Sequence, residues 1–78
     1  MQQDRPLHEI ARDIQANWPS VNYAAKPYLS AMYSLASVTE KYGHDDAKSI
    51  VSYFLSNAST WRGDHARRIK AELRRMIT

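Results

Sequence analysis

Apolar residues recur at intervals of three and four in four separate stretches of this chain, and none shows a convincing alternation of apolar with polar. That spacing belongs to helices that bury one stripe each, and it leaves no extensive sheet for the chain to build. In the first stretch Leu7, Ile10, Ala11, Ile14 and Trp18 fall on one face. Asp4 stands where an N-cap belongs, and Pro6 suits an early first-turn position. Pro19 drives Trp18 toward extended geometry, so the first helix should end near Asn17.

The second stretch lies between Pro27 and Gly43 and carries Tyr28, Ala31, Met32, Leu35 and Val38, with Ala36 beside them. Asn22 offers an alternative, earlier cap, with residues 23–26 as a first turn. Ser30, Ala31, Ser34, Ala36 and Ser37 would let neighbouring helices come close, which marks this helix as the expected centre of the fold. Gly43 fits a left-handed helix stop. Asp45 or Asp46 then caps a third helix that buries Ala47, Ile50, Val51, Phe54 and Ala58. Residues 57–60 are short and polar, with Ser59 or Thr60 as the next cap. The last core line is Trp61, His65, Ile69, Leu73 and Met76, although Gly63 allows the start to slip to Asp64. The expected fold is therefore all-α, a compact four-helix domain with helices at about 5–17, 24–41, 46–57 and 61–77.

At 78 residues, one domain is the most the chain can form. It has no cysteine, which removes disulfides and thiolate metal sites and leaves helix packing, with or without self-association, to supply stability. No apolar run approaches the roughly 18 to 20 residues needed to span a bilayer. The start, Met1 to Pro6, lacks the basic-then-apolar order of a signal peptide. A cytoplasmic location is expected, where the Asn57-Ala58-Ser59 sequon has no consequence.

Charge is distributed unevenly. The net charge is +3, from 11 basic and 8 acidic residues. Residues 1–60 hold five basic side chains against six acidic, whereas residues 61–78 hold six against two, a balance of +4. On a helical projection Arg67, Lys70 and Arg74 form a stripe opposite Ile69 and Leu73, and they are the candidate contacts for nucleic acid or another anion. Arg68 and Arg75 form a second stripe that Asp64 and Glu72 should partly neutralise through intrahelical pairs. The plainer reading of all these cations is a solvated face favoured by the helix dipole. A helix-turn-helix matches poorly, since Tyr53 takes the place of its small residue and Gly63 would fall inside the recognition helix.

The other side chains offer little chemistry. His44-Asp45-Asp46 looks like a metal cluster, yet adjacent residues seldom converge on one ion and capping accounts for the carboxylates. His8, Glu9 and Asp13 read as surface residues on the outside of the first helix. His65 reads as a packed imidazole with a hydrogen-bond partner. With two glycines, no Gly-x-Ser-x-Gly elbow and no phosphate loop, the chain is not expected to be an enzyme or to hold a cofactor or metal.

The densest local signal runs from Tyr53-Phe54-Leu55 to Trp61-Arg62-Gly63, a helix end, a corner and a helix start with Phe54 and Trp61 placed to pack across it. Trp61 and Arg62, together with Tyr33 and Tyr53, are the candidate partner-binding residues. This stretch with Ala66 to Leu73, and upstream Pro27 to Met32 and Tyr42-Gly43, resembles a family of small uncharacterised helical proteins encoded by bacteriophages and related mobile elements. The resemblance spans about Leu7 to Ile77 and implies a bacterial or phage context, but it transfers no functional residue. The leading expectation is a non-enzymatic interaction protein, a phage or plasmid accessory factor that binds a host protein or self-associates. The alternative is nucleic-acid binding through the basic last helix. A protein-binding role calls for exposed apolar surface around Tyr33, Tyr53 or Met76 and Ile77.

Overall fold

The expected helices form, with one shortened. The computed structural model describes residues 5–43 and 45–77, and in it α1 spans Leu7–Asn17, α2 Lys26–Met32, α3 Ala47–Ser56 and α4 Asp64–Ile77. Between α2 and α3, β1 (Lys41–Tyr42) pairs antiparallel with β2 (Asp45–Asp46), Lys41 opposite Asp46 and Tyr42 opposite Asp45. The four helices set the class, and this short ladder adds a hairpin to it.

α1 ends where Pro19 requires, with Trp18 at φ −128° and ψ 81°. Its other end starts after Pro6 and borrows its acceptors from far along the chain. The Leu7 and His8 amides donate to the carbonyls of Ala36 (3.1 Å) and Leu35 (2.9 Å). These are donors that a helix start cannot satisfy internally. The cap expected at Asp4 lies outside the described residues.

That borrowing explains why the second helix stops at Met32 instead of continuing to residue 41. After Met32 the amides of Tyr33, Ser34 and Leu35 turn back to Ser30, Ala31 and Met32, a tightening that ends the helix. The Ser37 hydroxyl then accepts the Thr39 amide at 3.1 Å, the local bonding by which Ser and Thr compete with helix. Leu35 still reaches the core, at 2% exposure. At the helix entrance, residues 23–25 form a turn in which the Asn22 side chain accepts the Ala24 amide. Gly43 is left-handed as expected (φ +64°), but it turns the hairpin and does not stop a helix.

Asp46 is the cap of α3, its carboxylate accepting the Ser49 amide at 2.8 Å. Ser59 and Thr60 do not cap α4. The chain stays irregular through Gly63, whose φ of +112° a side chain would resist, and the helix begins at the later start, Asp64.

The helices pack in a ring, α1 on α2, α2 on α3, α3 on α4 and α4 back on α1, so no helix is central. Leu7, Ile10, Ile14, Met32, Leu35, Val51, Phe54 and Leu73 are fully buried inside it. Trp18 fills one end. Its ring stacks on Trp61 (5.4 Å between centroids, 7° between planes) and meets the Phe54 ring edge-on at 6.2 Å. The Trp61 indole N–H donates to the Asn17 carbonyl at 3.2 Å, closing the last turn of α1. Among the described residues no helix is long and apolar enough to cross a membrane.

Candidate functional site

α4 presents three kinds of surface. Ala66, Ile69 and Leu73 are buried, and Met76 and Ile77 are half-buried against the same core. Two flanks carry polar groups engaged with the rest of the molecule. The outward side exposes Asp64, Arg67, Arg68, Ala71, Arg74 and Arg75.

His65 and Glu72, seven residues apart, share the flank facing α1. The Arg5 guanidinium donates twice to Glu72, from Nε at 3.0 Å and Nη2 at 2.8 Å, and from Nη1 to Asp13 at 3.1 Å. The second Asp13 oxygen faces His65 Nε2 at 3.0 Å and also accepts from the Asn17 side-chain Nδ2 at 3.0 Å. The hydrogen bond to Glu72 raises the Arg5 pKa, against the opposing effect of burial and with further help from Asp13. For Asp13, burial pushes the carboxyl up, but the bonds from His65 and Arg5 outweigh it and leave it below the usual carboxylate range. Asp13 is thus no ordinary surface acid, and His65 does have its partner, at the edge of the core and not inside it. Their cluster borders a shallow recess of about 260 Å³ that Arg68 also lines. The spacing of His65 and Glu72 was visible in the sequence, but nothing local pointed to Arg5.

The expected stripe of Arg67, Lys70 and Arg74 is not a uniform row of available cations. Lys70 turns to the other flank, where its ammonium donates to the Trp61 carbonyl at 2.6 Å. Burial lowers its pKa first, then the nearby charges of Arg74 and Arg62. Arg67 pairs with Asp64 one turn back. The second stripe departs from expectation in the opposite sense. Asp64 is taken by Arg67 and Glu72 by Arg5, so among the described residues no carboxylate lies within ion-pair distance of Arg68 or Arg75. The outward cations are therefore Arg67, Arg68, Arg74 and Arg75, arranged as two adjacent pairs.

Of the candidate partner-binding residues, Trp61 is only 4% exposed and belongs to the core stack. Arg62 is exposed ahead of α4. Tyr53 is half exposed with its ring against Tyr28, 5.4 Å between centroids. Tyr33 is 39% exposed and lines a groove of about 340 Å³ with Pro19, Val21, Lys26 and Leu29. The groove beside Tyr33 is lined by none of Tyr53, Trp61 and Arg62. Among the described residues no group of three His, Asp or Glu side chains could hold a metal ion, and His44 of the suggested cluster lies outside them. No protein-family model, no curated protein and no solved structure matches the chain.

Proposed function

We propose that this chain is a non-enzymatic interaction domain whose working surface is the outward face of α4 and whose ligand is nucleic acid. One observation carries the reading. Arg5 holds Glu72 on the flank, which leaves Arg68 and Arg75 without a carboxylate among the described residues, beside the exposed Arg67 and Arg74. A solvated face would be served as well by cations interleaved with acids, as is usual on helix surfaces. Here the face is cleared of all acids but Asp64, and phosphates are the ligand that guanidinium groups match best.

The test is fluorescence anisotropy with labelled DNA and RNA at about 50 and 200 mM salt. If the four arginines contact four phosphates, affinity should fall on the order of 100-fold between those concentrations. Changing Arg67, Arg68, Arg74 and Arg75 together to Gln should abolish binding and leave the circular dichroism spectrum intact. No binding at the lower salt would overturn the proposal.

A second reading, binding of a host protein or a second copy, draws on the exposed rings of Tyr33 and Tyr53. It ranks lower because Tyr53 packs on Tyr28, the groove beside Tyr33 does not include it, and the strongest anchor type, Trp61, is buried. A phage or plasmid accessory factor acting in a bacterial cytoplasm fits either reading. The support is the sequence resemblance and the absence of cysteine.

A further inference from the structure

We infer that the ligand of the α4 face is double-stranded DNA, with the helix seated in the major groove and one arginine pair directed to each strand. This inference rests on the nucleic-acid reading above and specifies its substrate. Arg67 and Arg68 stand seven residues before Arg74 and Arg75, about 10 Å along a helix axis. A B-form major groove is about 12 Å wide, and a helix with its side chains is about 10–12 Å across. A helix lying along such a groove turns Arg67 and Arg74 toward one strand and Arg68 and Arg75, 100° round the axis from them, toward the other.

The middle of the face supports the same conclusion. At 100° per residue, the four arginines flank a central line that carries Asp64 in the first turn and, seven residues on, the exposed Ala71. A methyl group there lets the helix backbone come down toward the base-pair edges and suits contact with a thymine methyl. A long side chain at this position would hold the helix off.

Other nucleic acids fit less well. Single strands are held by aromatic platforms, and the exposed rings of the described residues, Tyr23, Tyr33 and Tyr53, all lie outside α4. Duplex RNA offers a major groove too deep and narrow for a helix to read.

The experiment compares a 20-base-pair DNA duplex, the RNA duplex of the same sequence and each separate strand, all at about 100 mM salt. The DNA duplex should bind at least tenfold more tightly than any of the others. Methyl green, which occupies the major groove, should displace the protein, and the minor-groove ligand netropsin should not. Ala71→Glu should reduce duplex affinity more than tenfold, and Ala71→Ser should leave it within twofold. Equal or tighter binding of single strands or duplex RNA overturns this inference but not the nucleic-acid reading, as does displacement by netropsin alone. Failure to bind any of the four overturns both.

Discussion

Replacing Arg5 with Gln removes three charge-assisted hydrogen bonds in one step, two to Glu72 and one to Asp13. The carboxylates left behind are not well hydrated, with side-chain exposures of 18% for Glu72 and 25% for Asp13. Hydrogen bonds to charged groups contribute about 1.5–3 kcal/mol each when sheltered, and exposed ion pairs about 0.2–1. The Arg5 side chain is 39% exposed, so solvent screening brings the three bonds well below their sheltered sum. A loss of about 2 kcal/mol follows, which for a domain of this size lowers Tm by about 10 °C. Thermal and urea unfolding followed by circular dichroism would measure it. Arg12→Gln serves as the control, an exposed arginine on α1 that should cost less than about 0.5 kcal/mol. A double-mutant cycle with Glu72→Gln isolates the pair and should return a coupling of about 1 kcal/mol. If Arg5→Gln matches the control, or the cycle is additive, the clamp contributes nothing and the account of Glu72's placement fails.

Other consequences can be checked in the same way. Asp13 has its folded pKa below its unfolded one, so its contribution is present above the ordinary carboxylate value of about 4 and is lost as pH falls through the lowered folded value. The urea midpoint should therefore drop below about pH 4, and Asp13→Asn should flatten that drop. Gly63→Ala should cost about 1 kcal/mol or more through its φ of +112°, although a Cβ there would touch nothing within 4 Å. Trp61→Ala should cost about 3–5 kcal/mol and abolish the near-ultraviolet signal of the Trp18–Trp61 stack. Arg5→Gln should also release Glu72 toward Arg68 and Arg75, lowering DNA affinity several-fold, with Arg5→Gln/Glu72→Gln restoring it.

What the sequence revealed, and what it hid, divides by the range of the interactions. Pro19, Asp46 and the apolar lines of the first, third and last helices act within a turn or two, and each landed near its expected place. The second helix failed at Met32 because the Leu35 and Ala36 carbonyls serve α1, a demand that no local window displays. Two-residue strands are too short for alternation to register at all. At the candidate site the helical projection assigned Glu72 to arginines on its own helix, yet its partner lies 67 positions away. Lys70 was misplaced for a related reason. With Trp61 drawn as the first residue of a helix, its carbonyl would have been bonded internally, and only the irregular stretch through Gly63 leaves it open to an ammonium.

The ring of helices has a bearing on how the chain comes into being. α1 obtains the group that closes its last turn from Trp61, 44 residues later, and Arg5 finds its carboxylate on α4. During synthesis the first helix emerges long before either partner exists, with Leu7, Ile10 and Ile14 uncovered. The early segments must wait in an unfinished state until α4 has left the ribosome, and folding is completed in a single late step. A chain cut short before residue 61 would lack both fastenings and present its apolar stripes to chaperones and proteases.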